Sequence, residues 1–394
     1  MRKQLLVTPR GWADDDRPVV ALLTHSARLS GAELMLTRIA PHLRRFRPVV
    51  IVGESGPVEE ALVSQDVAVM RLPLPDVVGE HSGARSSGVA RGGILCRAIA
   101  SFRYARRLAT TLRDLGVDVV YTHSAKAHLY GGLAGRLAGL PVVLHSHTIV
   151  NRRSMRGSAV VAARAGAALL PRAVIANSQA GLASLGRFAR RRPTAVIPPP
   201  LDLPQDIPDR RERDVLRFVV AGRICPGKGQ TLAIRAYAKV RAELGCESEL
   251  LIVGAPMFNR DEEYAEALHP LARALGVADS VRIRGHQPNP AAILADADVL
   301  VHSAIEPEGF GQVIAEALAV GTPAIVPDDG GPREIVDHGV NGLVYERGDV
   351  DALADAMLHL ARDRSARARM GEKARDVASR YDAATVVART EDFL

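Results

Sequence analysis

The chain has 394 residues, of which 47% are hydrophobic, 24% charged and 4% aromatic. That length exceeds what one hydrophobic core usually absorbs, so two domains are expected, and the composition excludes disordered, fibrous and collagen-like classes. Net charge is +7, but residues 1–200 carry 28 Lys+Arg against 12 Asp+Glu (+16), and residues 201–394 carry 23 against 32 (−9). Residues 119–201 hold eleven bases and no acid, which suggests an anionic partner; the excess of Arg over Lys, 46 to 5, is by itself equally the mark of codon bias. Scarce aromatic residues argue against nucleic acid as that partner.

The start, MRKQLLVTPRGWADDD, is basic, but its apolar run of Leu5, Leu6 and Val7 is too short for a signal-peptide core. Cys96, Cys225 and Cys246 are odd in number and widely spaced, which fits a reducing compartment and neither a disulfide framework nor a CxxC metal site. The most apolar stretch, Ala159 to Ala176, is interrupted by Arg164, Pro171 and Arg172, short of the ~20 residues a spanning helix needs. A cytoplasmic protein without a membrane span is expected.

Taken along the chain, the runs VVALLTH, PVVIVGE, DVVYTHS, PVVLHSH and AVIANS are apolar and β-branched, with helical segments between them. Continuous hydrophobicity of this kind predicts strands buried on both faces, hence a parallel sheet flanked by helices. After residue 215 the pattern restarts with LRFVVAGR, ELLIVGA, VRIRGH, ADVLVHS and TPAIVPD. Between the two series, VIPPPLDLPQDIPDRRERD (196–214) has five prolines and reads as an extended connector. The last helices, 349–362 and about 366–393, add no strand and are expected on the outside.

Ligands of open parallel sheets bind beyond the carboxyl ends of the strands, so the residues after each strand carry the functional signal. In AGRICPGKGQ (221–230), Arg223 and Lys228 flank a glycine-rich turn into a helix beginning near Gln230. Two cations at a helix N-terminus suit a pyrophosphate; a solvated loop is the plainer alternative. In EGFGQVIAE (308–316), Glu308 precedes a helix and Glu316 lies two turns into it. The amides of Gly309, Phe310 and Gly311 suit sugar hydroxyls or phosphate, and the two carboxylates suit diols, unless both glutamates merely decorate a solvated helix face. In SGAE (30–33), Gly31 either admits a phosphate closely or simply forms a turn with Ser30 as N-cap. Of His123, His145 and His147, the last two alternate on one strand and so project to the same face, which invites a metal, but no Cys, Asp or Glu stands close in sequence to complete a set. Asp296 and Asp298 form a DxD that precedes a strand and reads as helix-end polar residues, without a metal.

SGAE, HSHT, the VIPPPLD linker, AGRICPGKG, EPEGFGQVIAEALAVGTP and GGPREIVDHGVNGLV, in this order, resemble the retaining glycosyltransferases of family four over residues 18–375. The resemblance implies an α/β GT-B fold: two Rossmann-like, doubly wound parallel-sheet domains facing a cleft. Residues 1–200 would be the acceptor-side domain with an ordered core from about 18, 201–214 the linker, 215–375 the nucleotide-sugar domain, and 376–394 a helix crossing back to the first. It further implies that Arg223 and Lys228 clamp the donor diphosphate with Gly31 closing on it, and that Glu316 binds the ribose. Glu308, with the amides of Gly309, Phe310 and Gly311, would hold the sugar, and His147 would approach it from the first domain. Ser30 replaces a frequent glycine and Pro199–Pro200 a usual Asn-Gly, and neither change removes a charge. The expected activity is transfer of a sugar from a nucleoside-diphosphate sugar to a glycan or lipid-linked acceptor, with retention. No cofactor and no metal are expected, and the basic first domain is expected against an anionic membrane at its cytoplasmic face. A GT-B epimerase or phosphorylase fits the motifs less well, and a non-catalytic sugar-nucleotide-binding scaffold is the competing reading from another class.

Overall fold

The computed structural model describes residues 6–7, 9, 12, 15–28, 30–75, 94–201, 215–244, 247–257, 259–287 and 290–394. The connector expected at 201–214, apart from Leu201, and Cys246 lie outside these residues. Two compact units result, one from residues 1–200 together with Ala383–Leu394, the other from Leu201–Asp382.

In the first unit β1 (Val19–Thr24), β2 (Arg47–Val52), β3 (Ala68–Arg71), β4 (Val117–Thr122), β5 (Val142–Ser146), β6 (Ala173–Ala176) and β7 (Thr194–Val196) form one sheet in the order β3-β2-β1-β4-β5-β6-β7. Every neighbouring pair is parallel. Alternation along β1 shows why both faces are covered: Val20 and Leu22 enter one core with Val50, Tyr121 and Ile175, whereas Val19, Ala21 and Leu23 enter the opposite core with Leu108 and Tyr130. The expected segment 366–393 is three pieces: helix Arg364–Ala378, a 3-10 turn Ser379–Tyr381, and helix Ala383–Phe393. The last of these does not simply lie outside. It buries Val386 and Val387 in the core of Val20 and Leu22.

The second unit repeats the design with β8 (Leu216–Ala221), β9 (Ser248–Val253), β10 (Val281–Arg284), β11 (Val299–Val301), β12 (Ala324–Pro327) and β13 (Gly342–Tyr345), ordered β10-β9-β8-β11-β12-β13 and parallel throughout. In each sheet the order reverses once, between β1 and β4 and between β8 and β11. Such a reversal opens a crevice at the carboxyl ends of the two central strands, the standard ligand position of doubly wound sheets.

Candidate active site

The crevice of the second unit is built by the turns after β8 and β11. After β8 the chain passes Arg223, makes a short 3-10 turn at Pro226–Lys228, and enters helix Gln230–Glu243 through Gly229. Gly229 has φ +66, and a Cβ there would lie 2.1 Å from the carbonyl oxygen of Ser303, so only glycine fits. The turn is tied to the segment after β11: Ile305 N and Glu306 N donate to Gly227 O at 3.0 and 3.2 Å, and Ser303 Oγ donates to Lys228 O at 3.0 Å.

This tie brings together residues far apart in sequence. Lys228 Nζ donates to Glu308 Oε1 at 2.5 Å, and His302 Nε2 meets Glu308 Oε2 at 2.5 Å. Burial alone would raise the Glu308 carboxyl, but Lys228 and His302 outweigh it and hold the group well below the usual carboxylate range. Glu308 is therefore an ionised group with both oxygens engaged. His302, 4% exposed at the carboxyl end of β11, is the residue that the sequence reading passed over; the signal was its position at the end of the run ADVLVHS. Its Nδ1 is buried without a partner among the described residues. Arg223 opens the same turn, its Nε 3.3 Å from Cys225 Sγ and 4.0 Å from Asp261.

Beyond Glu308, Gly309 and Phe310 lead to Gly311, whose φ of +100 makes it the N-cap of helix Gln312–Ala319. Phe310 is buried edge-on against Tyr381 at 5.3 Å, which anchors the loop. No hydrogen bond among the described residues takes up the amides of Gly309, Phe310 or Gly311. Glu316 falls in the second turn of the helix, a little closer to its start than expected, because the glycines stay outside it. The DxD sits at the opposite, amino ends of β8 and β11. There Asp296 pairs with the Arg217 guanidinium and Asp298 accepts from Arg217 N at 2.8 Å.

In the first unit the helix after β1 begins at Gly31, with Ser30 as extended N-cap. Glu33 is 3% exposed; it accepts from Thr24 Oγ1 at 2.8 Å and from Ser30 Oγ, and burial pushes its carboxyl up against those bonds. Next to it in the sheet order, β4 and β5 deliver three histidines. The rings of His145 and His147 stack at 4.4 Å, and those of His123 and His147 at 5.3 Å, with His123 Nδ1 3.1 Å from His147 Nε2. His123 joins the pair in space, and one nitrogen from each ring lies within 4.8 Å of the others. Both nitrogens of His145 are already engaged, Nδ1 by the Tyr121 hydroxyl at 2.5 Å and Nε2 by Asn177 Oδ1 at 2.8 Å. His123 and His147 are bonded to each other, leaving His123 Nε2 and His147 Nδ1 buried without a partner among the described residues. Burial holds all three rings neutral, with His147 pushed down to about 4.

Two family models match the chain, "Glycosyltransferase Family 4" over residues 29–205 and "Glycosyl transferases group 1" over residues 207–377. A GDP-mannose-dependent alpha-(1-6)-phosphatidylinositol monomannoside mannosyltransferase of Mycobacterium tuberculosis is 32% identical over 217 residues, 50% of this chain and 54% of its own length. The chain thus matches about half the length of that relative. A D-inositol 3-phosphate glycosyltransferase of Stackebrandtia nassauensis is 30% identical over 67% of this chain and 65% of its own. Among solved structures, Anabaena HepE in complex with UDP-glucose superposes with a TM-score of 0.79 at 25% identity, covering 95% of this chain and 98% of that one.

Proposed function

Since the chain belongs to the family-four glycosyltransferases of GT-B fold, we propose that it moves a sugar from a nucleoside-diphosphate sugar to an acceptor hydroxyl with retention and without a metal. The observation that carries this reading is the joining of Lys228, Glu308 and His302 at the β8/β11 reversal, beside Arg223 and the amides of residues 309–311. We assign Arg223 and Lys228 to the diphosphate: the ammonium has three donors and spends one on Glu308, and the guanidinium presents a fork. Glu316 is assigned to the ribose and Glu308, with the amides of Gly309, Phe310 and Gly311, to the sugar hydroxyls. From the first unit, Gly31 is assigned to the diphosphate and His147 to a sugar hydroxyl.

Double displacement requires a nucleophilic carboxylate. Glu308, stabilised as an anion by two hydrogen bonds, is a weak nucleophile, which favours an orienting role. In the reaction proposed, the acceptor oxygen forms its bond to the anomeric carbon on the face from which the phosphate departs. The carbon–oxygen bond to the diphosphate breaks, and a phosphate oxygen takes the acceptor proton. Fixed cations stabilise the departing charge, the part a divalent ion plays elsewhere. The acceptor we propose is a glycan, glycolipid or lipid-linked intermediate, reached at an anionic membrane surface on the cytoplasmic side.

The test is turnover of GDP-mannose and UDP-glucose, the nucleotide sugars named for the relative and the structural neighbour, followed by release of nucleoside diphosphate and by NMR of the product anomer. Retained configuration and activity undiminished by EDTA are expected. An inverted product, or a complete loss in EDTA restored by magnesium or manganese, overturns the mechanism. Binding of a donor without hydrolysis or transfer under any condition favours the scaffold reading.

A further inference from the structure

Helix Gly157–Leu169 (GSAVVAARAGAAL) is apolar on both sides. Inward it buries Val160 and Ala167 in a small core with Leu144, Val174 and Leu182. Ser158, Val161, Ala162, Ala165 and Leu169 fall on the opposite face by the 3.6-residue period and are all exposed, Val161 by 63% and Leu169 by 64%. Arg164, the one charged residue of the helix, is exposed but turned off this face, its Nε donating to Ser184 O at 2.9 Å; a helix apolar on both its inner and outer faces belongs in a core or in lipid, and this one has only one face in a core.

Its surroundings state what would cover the other. Arg152, Arg153 and Arg156 stand exposed before its first turn. Beyond its last turn, the packed 3-10 turn Ala189–Arg191 carries exposed Arg190 and Arg191, next to Phe188, which is 51% exposed. Arg187 and Arg191 lie 4.8 and 5.0 Å from the Phe188 ring centre. Arg136 and Arg192 cap the carbonyls of Ala168, Leu169 and Leu170, so the helix end is closed by cations as well. No acid occurs between residues 119 and 201.

We infer that this helix is an interfacial anchor: its Val161/Ala165/Leu169 face enters the headgroup boundary of an anionic leaflet, and the flanking arginines contact the lipid phosphates. A second copy of the chain is the poorer occupant, because a symmetric pairing of this face would set arginine against arginine with no carboxylate between them. The inference rests on the membrane-side acceptor reading for its purpose only, since binding to vesicles is measured without turnover.

The experiment compares sedimentation of the full chain with phosphatidylglycerol and phosphatidylcholine vesicles at low and high salt. Preference for the anionic vesicles, weakened by salt, is expected. The combined variant Arg152→Gln, Arg153→Gln, Arg156→Gln should bind on the order of a hundredfold more weakly, taking about fivefold per arginine. Val161→Ser with Leu169→Ser should lose about tenfold or more and keep the salt dependence. Both variants touch exposed positions, and circular dichroism confirms their fold. Unchanged vesicle binding in either variant, or equal binding to both lipids, overturns the proposal. So does a dimer in sedimentation equilibrium that the serine variant dissociates. A failure of the transferase reading shows separately, as absent turnover of every donor while vesicle binding persists.

Discussion

Glu308 is the residue on which the second unit's chemistry converges, and its neighbours make its loss separable from theirs. Arg223→Ala and Lys228→Ala each remove a charge-assisted contact of about 1.5–3 kcal/mol, so donor kcat/KM is expected to fall roughly ten- to hundredfold with the fold retained. Unchanged kinetics in both variants would remove the diphosphate assignment. Glu308→Gln should reduce transfer more than affinity for free nucleoside diphosphate, whereas Glu316→Gln should chiefly weaken the nucleotide; calorimetry and initial rates tell them apart. Because Lys228 and His302 hold the Glu308 carboxyl down, its contribution to stability is present above the unfolded carboxylate value near 4.3 and is lost as pH falls through the lower folded value. The histidines of the first unit act earlier in an acid titration. His147, down at about 4 from an ordinary 6.5, resists a proton that the unfolded chain accepts. Stability should therefore decline between those values, by up to about 1.4 kcal/mol per pH unit for this ring. His147→Gln is expected to flatten that slope in urea melts taken from pH 7 to pH 4.

At the scale of elements, the turn Pro226–Lys228 and the segment 302–306 form one body hinged on Gly229. Gly229→Ala would force a Cβ into Ser303 O and a left-handed backbone on alanine, parting Lys228 from Glu308. Donor affinity is expected to fall at least tenfold while circular dichroism stays native; an unaltered affinity would show that the tie does not position Lys228. The strands were readable because apolar β-branched runs are continuous only when both faces are covered, and Arg223, Lys228, Glu308 and Glu316 stood out as candidates because they follow such runs. That Lys228 and Glu308 touch was not readable, since 80 residues and three strands separate them and only the β8/β11 adjacency joins their ends. His302 went unnoticed although it stands only six residues before Glu308, because a histidine at a strand end is by itself more often structural than functional. Helix Gly157–Leu169 is a different case: its stretch was weighed in the sequence only as a membrane span, and its alanines and valines look alike on either face, so the exposed apolar side at Val161 and Leu169 was not readable.

For the molecule as a whole, two successive parallel sheets followed from the restart of the strand pattern after residue 215, and the same 3-2-1-4-5-6 order recurs in both. Less legible was the standing of the final helix, which polar side chains made look peripheral. Glu391, 8% exposed, accepts from the amides of Arg44 and Arg45 at 2.7 Å each, fastening that helix to the first unit where Val386 and Val387 enter its core. Glu391→Ala leaves two amides without their acceptor and is expected to destabilise the first unit by about 1–3 kcal/mol in denaturant melts, with Glu391→Gln recovering part of the loss. The first unit is thus discontinuous along the chain. On the ribosome, Val20 and Leu22 emerge before the second unit, yet Val386 and Val387, which share their core, are made after the whole of it. During synthesis the second unit can close on itself while the first still waits, partly open, for residues that follow the second unit in the chain. A nascent chain stalled before residue 383 should therefore expose first-unit apolar surface to chaperones and proteases even with β1 to β13 translated.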